Sequence, residues 1–168
     1  MPTNATKRAS PRNAGPARRS ARGFTMMELI VTVSLAAILA TIAVPSFNGM
    51  IATQRARAFA SDLYVTLAKA RSEALTLNQN VTLRANAGGW QNGWQILDAN
   101  NNVLDNHAAA TGVTVTPTAT VTYRASGRLP AGAVAPVFVI STSGATVNHQ
   151  CVSVDLGGRP YMTAAAAC

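Results

Sequence analysis

The sequence is poor in the side chains that most enzymes use for catalysis. Among 168 residues there are two histidines, two cysteines and six aspartates and glutamates together. His107 and His149 lie in polar or strand-edge contexts, and the chain has neither a glycine-rich phosphate loop nor a nucleophile elbow. His149, Cys151 and Cys168 are too few ligands for a zinc site unless an aspartate joins them. We therefore predict a protein that is not an enzyme and holds no metal or cofactor.

Positive charge is scarce outside the first 22 residues. The formal net charge is +8, but six of the 14 basic side chains lie in that segment, and the remaining basic residues exceed the acidic ones by only two. So small an excess does not predict nucleic-acid binding from charge alone. The basic segment itself contains Pro, Asn and Ser and shows no folding pattern. Its charge predicts that it stays on the cytoplasmic side of a membrane.

A long segment without charge follows the basic one. Residues 29–54 contain no Asp, Glu, Lys or Arg. At about 1.5 Å of rise per residue, the most apolar part of this run, up to Phe47, nearly crosses a bilayer core of about 30 Å. Glu28 stands directly before the run, where an ionised carboxylate is costly unless it finds a partner. The segment therefore predicts a membrane-spanning helix with a carboxylate near its start.

Three interpretations of this apolar segment compete. It is a signal peptide cleaved after residues 41–43, a permanent one-pass anchor, or an amphipathic helix lying on the membrane surface. Glu28 stands where the apolar core of a signal peptide should begin, and the helical pattern continues past the supposed cleavage site. Both observations argue against the signal peptide.

After Pro45 the helical pattern continues in amphipathic form up to Leu77. Apolar or small side chains recur every three or four residues and form one helical face: Ala52, Ala56, Phe59, Leu63, Leu67, Ala70, Ala74 and Leu77. Charged residues lie off this stripe, which predicts that the stripe packs in the core of a folded domain. Proline lacks an N–H and clashes with the preceding turn, so we expect Pro45 to kink or locally melt one long helix.

Beyond Asn78 the pattern changes to alternation with frequent breakers. Short β-branched and aromatic runs lie between Gly, Pro, Asn and Asp in NVTLRAN, WQNGWQIL, GVTVTPTATVTYRASG, PVFVIST and QCVSVDLGGRPYM. They predict about six short, mostly antiparallel strands, with the amphipathic helix covering one face of the sheet. The expected fold class is α+β: a long N-terminal helix packed on a mostly antiparallel β-sheet head.

The stretch LDANNNVLDN predicts a polar turn between the second and third strands. Asp98, Asn100 and Asn102 match the first three ligand positions of a calcium-binding loop. However, Val103 stands in place of the required glycine and Ala109 in place of the terminal glutamate. A calcium site is therefore not expected there.

The stretch RGFTMMELIVTVSLAAILATIAVPSF resembles the leader junction and membrane helix of type IV pilins and pseudopilins. The resemblance implies that prepilin peptidase cuts between Gly23 and Phe24 and then methylates the new amino terminus of Phe24. Glu28 matches the family's glutamate and Pro45 its helix-breaking proline. LAKARSEALTLNQNVTL, GGWQNGWQILD, YRASGRL and CVSVDLGGRPYM together resemble minor pilins and minor pseudopilins of the GspH/FimT type.

This resemblance implies a domain organisation. Residues 1–23 are a cleaved basic leader, 24–49 a transmembrane and assembly helix, 50–78 the amphipathic helix of the head, and 79–168 a β-rich head in the periplasm or outside the cell. The implied localisation is the inner membrane, crossed once, and afterwards a pilus or pseudopilus fibre that reaches the cell surface in the pilus case.

The implied function is that of a minor pilin in assembly of a type IV pilus, in a priming or tip complex. The implied partners are prepilin peptidase, other major and minor pilins or pseudopilins, the inner-membrane assembly platform and, before assembly, membrane lipid. A minor pseudopilin of a type II secretion system is the alternative, because GspH relatives share the same core layout. The long basic leader favours the pilus.

The resemblance also supplies a partner for Glu28. After cleavage, the amino group of Phe24 stays largely cationic near neutral pH, one helical turn from Glu28. In the family, the glutamate is thought to pair with the amino terminus of a neighbouring subunit. Such pairing removes an isolated charge from a low-dielectric bundle and selects the correct axial register. The alternative is that Glu28 reaches the cytoplasmic interface of a simple anchor; the adjacent Gly23 and Phe24 favour the assembly role.

DNA is a further partner to weigh. Some FimT-type minor pilins are implicated in DNA uptake through a C-terminal Gly-Arg-x-Arg loop, which Gly158 and Arg159 match here while Tyr161 replaces the second arginine. Arg124, Arg128 and Arg159 would form a basic patch, and Tyr161 would stack on a base. The small excess of positive charge in the mature chain argues against tight binding, and solvated loop arginines are the simpler interpretation.

The two cysteines predict a disulfide between Cys151 and Cys168. With the leader in the cytoplasm, a single crossing places the head in the periplasm, where thiols are oxidised. The residues between the cysteines are interpreted as a strand, a turn at Gly157 and Gly158, and a second strand or tail. Such a hairpin returns the chain toward Cys151. The bridge either shapes the loop that carries Arg159 or only stabilises the domain.

Overall fold

The computed structural model describes residues 23–116, 120–142, 149–165 and 168, with only the backbone described at positions 45 and 46. The predicted leader therefore lies outside the described residues, except for Gly23. The described chain forms an α-helix, α1 (Met26–Leu77), a short 3-10 helix (Trp90–Asn92) and eight strands. The strands are β1 Val81–Ala85, β2 Trp94–Leu97, β3 Val103–His107, β4 Thr114–Thr116, β5 Val121–Tyr123, β6 Val137–Ser141, β7 His149–Val154 and β8 Pro160–Ala165.

The chain divides into two compact units, Met1–Leu39 and Ala40–Cys168. In the first unit, the described residues after Thr25 belong to α1 and expose their side chains. The second unit contains the rest of α1, the 3-10 helix and the eight described strands. The helix is continuous through position 45, and the kink expected from Pro45 stays a prediction.

The apolar stripe of α1 packs in the core of the second unit. The stripe positions that are fully buried are Ala56, Phe59, Leu63, Leu67, Ala70 and Ala74. Only its two ends differ, since Ala52 is half-buried and Leu77 is exposed. The period of three and four in the sequence is therefore the period of a buried helix face. The helix ends at Leu77, and Asn78 follows with a positive φ of 51°.

The strands form two antiparallel four-stranded sheets. The first has the order β3-β2-β1-β5 and the second the order β4-β6-β7-β8. In the first sheet Leu83 of β1 lies opposite both Ile96 and Val121, and in the second Val139 lies opposite Cys151. The architecture confirms the predicted α+β class, a long N-terminal helix packed on antiparallel strands.

Aromatic side chains join the helix to both sheets. The ring of Phe59 on α1 meets Trp94 edge to face at 5.2 Å, and Trp90 meets Phe138 of the second sheet in the same way at 5.0 Å. Trp90 and Trp94 lie 6.0 Å apart. Pairs with this geometry add about 0.5–1.5 kcal/mol each beyond the area they bury. This aromatic cluster joins α1 and the two sheets into one hydrophobic core.

The structure corrects the predicted strands in two respects. The head has two sheets rather than one, because GVTVTPTATVTYRASG divides into β4 and β5, which pair in different sheets. The predicted polar turn LDANNNVLDN also contains a strand, since residues 103–107 form β3. This strand is an edge strand whose polar Asp105 and His107 contact α1, so the strand lacks the apolar alternation that would have marked it.

Candidate functional site

Gly23 and Phe24, the predicted processing site, precede α1 and are exposed. No atom lies within 4 Å of a Cβ built on Gly23, and the side chain of Phe24 is 77% exposed. The helix begins two residues after Phe24, at Met26. The bond between Gly23 and Phe24 therefore lies outside the helix, and its cleavage stays a prediction.

Thr25 caps the helix that Glu28 belongs to. The hydroxyl of Thr25 accepts a hydrogen bond from the backbone N–H of Glu28 at 3.2 Å, and its carbonyl accepts one from Leu29 at 3.1 Å. Thr followed three residues later by Glu is the capping-box spacing, so the helix start at Thr25 could have been predicted from the sequence. Glu28 is exposed in the first turn of α1, where a negative charge also complements the helix dipole.

The first part of α1 presents an apolar surface. The most apolar 18-residue window of this helix has a mean hydropathy of 2.3, and none of it is buried. Among the described residues it is the one helix long and apolar enough to cross a membrane. The hydroxyls of Thr32 and Ser34 donate to the carbonyls of Leu29 and Ile30, at 2.9 and 2.7 Å. These polar groups are therefore satisfied within the helix itself.

The C-terminal hairpin carries the predicted disulfide. Cys151 and Cys168 are bonded, with their Cα atoms 5.7 Å apart. In β7, Cys151 lies opposite Thr163 of β8, and the two strands are joined by a turn at residues 155–159. The structure confirms the disulfide, and because both sulfurs are used in it, neither cysteine is free to ligate zinc.

The turn of this hairpin is held by Asp155. The Oδ1 atom of Asp155 accepts a hydrogen bond from the backbone N–H of Arg159 at 2.8 Å, and its carbonyl accepts one from Gly158 at 2.9 Å. Gly158 has a φ of +82°, in the left-handed region that favours glycine. Arg159 and Tyr161 are exposed, with Tyr161 on β8 opposite Ser153.

A second tight turn carries Arg124 and Arg128. The backbone N–H of Arg124 donates to the carbonyl of Arg128 at 2.9 Å, and Gly127 donates to the carbonyl of Arg124 at 2.7 Å. The Nε of Arg71 on α1 donates to the carbonyl of Gly127 at 2.9 Å. The same carbonyl would meet a Cβ built on Gly158. The turn at residues 124–128 and the turn at 155–159 therefore pack together.

This packing brings some of the predicted DNA-contact residues to one end of the head. Arg124 and Arg128 line a common groove, and Arg159 lies in the neighbouring turn. Tyr161 is not among the residues that line the groove. The contact between the two glycines joins segments far apart in sequence, and no local pattern indicates it.

Charged side chains also fasten the edge strand β3 to α1. The Nζ of Lys69 contacts Oδ2 of Asp105 at 2.8 Å. Their hydrogen bond lowers the pKa of Asp105 and raises the pKa of Lys69. His107 stacks on Trp94 with ring centroids 3.9 Å apart, and its Nε2 lies 3.6 Å from Oδ2 of Asp62. Asp105 stands two residues before His107 in sequence, whereas Asp62 reaches His107 only through the fold.

The residues that mimic a calcium loop bond to one another. Oδ1 of Asp98 accepts hydrogen bonds from the backbone N–H groups of Asn100 and Asn102, both at 2.8 Å. Oδ2 accepts another from the Asn102 side chain at 2.8 Å. The bond from this side chain, with the two from the backbone, lowers the pKa of Asp98. The carboxylate thus organises the turn between β2 and β3.

Comparison with known families agrees with this geometry. The model of the type II transport protein GspH family matches residues 60–158, and the prokaryotic N-terminal methylation motif matches residues 18–44. The first match covers more than half of the chain and spans the buried helix face from Leu63 to Ala74, strands β1 to β7 and the turn at residues 155–158. The fold and the N-terminal segment define a pilin-like subunit with an apolar N-terminal helix. The chain belongs to the GspH family.

Two solved structures show the same fold. They are two crystal forms of the type IV minor pilin FimU of Pseudomonas aeruginosa strain PAO1. The form in space group P21 has a TM-score of 0.59 and 23% identity, covering 69% of this chain and 96% of that one. The form in P65 has a TM-score of 0.56 and 24% identity, covering 67% and 98%. No curated protein matches the sequence.

Family and fold are those of structural pilin subunits, which assemble with other pilins or pseudopilins. The methylation motif and the exposed apolar helix indicate a membrane-anchored subunit.

Proposed function

We propose that this chain is a minor pilin that takes part in assembly of a type IV pilus, in a priming or tip complex. Prepilin peptidase removes residues 1–23 and methylates Phe24. Residues 24–49 then hold the subunit in the inner membrane and later in the fibre, residues 50–78 form the helix of the head, and 79–168 form its β-rich part in the periplasm. The assembly platform and other major and minor pilins are its partners.

One observation carries this proposal. A head of the GspH family follows an N-terminal methylation motif in which Glu28 is the only charged side chain between Phe24 and Gln54. Isolated charge in an apolar segment is retained where it has a functional partner. The methylated amino group of Phe24 in a neighbouring subunit is that partner, and pairing with it fixes the axial register of the fibre.

Mass spectrometry of the amino terminus tests the processing step. Protein extracted from membranes is expected to begin at methylated Phe24. A Gly23→Leu variant is expected to keep its leader, because the larger side chain fills the small-residue site of the peptidase. A start near Val44 would show instead that the apolar segment is a signal peptide.

Variants of Glu28 test the assembly step. Glu28→Gln removes the charge and keeps the shape, so we expect normal membrane insertion and leader cleavage. The amount of this protein in sheared fibres should fall at least about tenfold, as expected when a desolvated charge loses its partner. Thr25→Ala is the matched control, because it removes the helix cap and leaves the carboxylate. Equal losses in both variants would mean that assembly depends on an intact helix start and not specifically on the charge of Glu28, and wild-type incorporation of Glu28→Gln would refute the register argument.

A role as minor pseudopilin of a type II secretion system is the alternative within the same family. Deletion of the gene distinguishes the two functions, because a pilin is required for surface fibres and a pseudopilin for export of folded proteins. We expect loss of fibres with export unchanged. Loss of export with normal fibres would favour the pseudopilin.

DNA binding is a second candidate function, favoured by the contact between the turns that carry Arg124, Arg128 and Arg159. We expect weak or no binding, since few phosphates can be neutralised by so small a basic surface. A mobility shift at low salt with the full-length protein in detergent measures it. A strong, salt-sensitive shift that Arg159→Ala reduces would support DNA uptake.

A further inference from the structure

A groove beside the turn at residues 124–128 combines an apolar floor with two arginines. It has a volume of about 470 Å³. Its apolar lining includes Leu129, Ala133 and Leu156, and Leu156 is 58% exposed although it is a large aliphatic side chain. Arg124 and Arg128 line the same groove and are both exposed. A groove of this kind suits a chain that carries both apolar and negatively charged side chains.

Among the described residues, the two arginines have no charge partner. In the part of the chain that the structure describes, neither takes part in a salt bridge or a side-chain hydrogen bond. Both backbones, in contrast, are fixed, because the N–H of Arg124 donates to the carbonyl of Arg128. This hydrogen bond closes a turn that brings the two backbones together, and both side chains line the groove. The two guanidinium groups therefore start from one edge of the groove.

The turn that forms one side of the groove is held in place by α1 and by the turn at residues 155–159. Gly127, at the tip of the turn, accepts a hydrogen bond from Arg71 of α1. A Cβ built on Gly127 would lie 3.0 Å from the side chain of Leu75, so the turn rests directly on the helix. Gly158 packs against the other side of the same turn. A site held in this way loses little conformational entropy on binding.

We propose that this groove binds an acidic, partly apolar segment of a partner protein in an extended conformation. This deepens the proposed function, on which it rests, by assigning the surface through which the head recognises a neighbouring protein of the fibre. Side chains two residues apart in an extended chain point to the same side, about 6.6 Å apart. Two carboxylates at that spacing meet Arg124 and Arg128, while a nearby apolar side chain covers Leu156.

The observations favour a peptide over a nucleic acid. The groove floor is apolar rather than aromatic: its lining residues include Leu, Ala, Pro and Gly and no Trp, Tyr or Phe, so bases have no ring to stack on. Arg159 and Tyr161 do not line it, which leaves two arginines for a phosphate backbone. Two guanidinium groups suffice to pair with two carboxylates.

Fluorescence anisotropy tests this with the full-length mature protein in detergent micelles. The probe is the labelled peptide acetyl-Gly-Glu-Leu-Glu-Leu-Gly-amide, and the control probe has Gln in place of both Glu residues. We expect saturable binding of the acidic probe only. Combined Arg124→Gln and Arg128→Gln should weaken it by about tenfold or more, as expected for two charge-assisted contacts. Leu156→Ser should also weaken it, and Arg84→Gln, an exposed arginine on β1 outside the groove, should not.

Several results would overturn the proposal. They are absence of saturable binding, equal binding of the Gln probe, or an arginine double variant that binds within about twofold of wild type. Preferred binding of a short single-stranded DNA, lost in the same double variant, would show a nucleic-acid site instead. Thermal unfolding of each variant checks that the head remains folded. Because the assay needs no fibre, its failure leaves the tests of Phe24 and Glu28 unaffected, and their failure leaves this one intact.

Discussion

Breaking the disulfide between Cys151 and Cys168 should remove a large part of the stability of the head. Cys168→Ser is the better perturbation, because Cys168 is exposed whereas Cys151 is only 2% exposed. The hydroxyl of the new serine then stays in solvent. The remaining thiol of Cys151 behaves as a small apolar group in its buried site. The variant therefore loses the bridge with little change in packing.

The expected magnitude follows from the size of the loop. The bridge joins residues 17 positions apart, and the chain-entropy model gives about 3 kcal/mol for a loop of that size. Domains of this size are stable by roughly 5–15 kcal/mol in total. The loss should also be visible locally, because the side chains of residues 161–164 are exposed on both faces of β8. Pairing with β7 and the bridge are what hold this strand.

Urea unfolding monitored by tryptophan fluorescence measures the effect, since Trp90 and Trp94 are fully buried. With an m-value of about 2 kcal/mol/M, the midpoint of Cys168→Ser should fall by about 1.5 M. Ala164→Ser, an exposed change on the same strand, is the control and should leave the midpoint unchanged. In Cys168→Ser, backbone amide hydrogen exchange should be faster in β8 than in β6.

A midpoint for Cys168→Ser within about 0.3 M of wild type would refute the stabilising role, because it corresponds to well under 1 kcal/mol. Non-reducing mass spectrometry provides an independent check. The two cysteine peptides should be linked, and two alkylatable thiols in protein from the periplasm would refute the bridge itself.

Two further predictions concern the turns and the edge strand. Gly158→Ala should destabilise the head by about 1–3 kcal/mol, because alanine at a φ of +82° is strained and its Cβ meets the carbonyl of Gly127. The control is Gly49→Ala, which should not lower the melting temperature because nothing lies within 4 Å of a Cβ at that position. Equal melting temperatures for the two variants would contradict the close packing at Gly158. Lys69 lowers the pKa of Asp105, so their pair should stabilise the head above the unfolded carboxyl pKa of about 3.9 and lose this effect as the pH falls through the folded value. Lys69→Gln should lower the melting temperature near neutral pH but not in strong acid, and a difference that stays constant with pH would refute the linkage.

The features that could be predicted from the sequence are encoded by the spacing of nearby residues or by the small number of cysteines. The stripe from Ala56 to Ala74 is buried because a period of three and four residues is a property of one helix, whatever it packs on. The disulfide was predictable because the chain has two cysteines and therefore one pairing. The N-terminal methylation motif at residues 18–44 is recognised from neighbouring residues alone, and cleavage between Gly23 and Phe24 stays a prediction.

The features that were missed depend on contacts between distant segments. β3 lacks apolar alternation; its residues Asp105 and His107 pair with β2, and their side chains contact Lys69 and Asp62 of α1. The separation of β4 and β5 into two sheets is likewise set by strand pairing, which short runs do not specify. The groove at Arg124 exists only because another turn packs behind it.

The hydroxyls of Thr32 and Ser34 have a consequence for how the helix changes surroundings. Both donate to carbonyls of their own helix, so neither hydroxyl needs a hydrogen-bond acceptor outside the helix. For these two hydroxyls, contact with lipid tails and contact with the apolar side chains of other helices then have similar energies. A subunit can leave a bilayer for a fibre without first breaking polar contacts or finding new ones at these positions. If the chain assembles as proposed, we expect its extraction from the bilayer to be limited by apolar packing and by Glu28, the one charged side chain between Phe24 and Gln54.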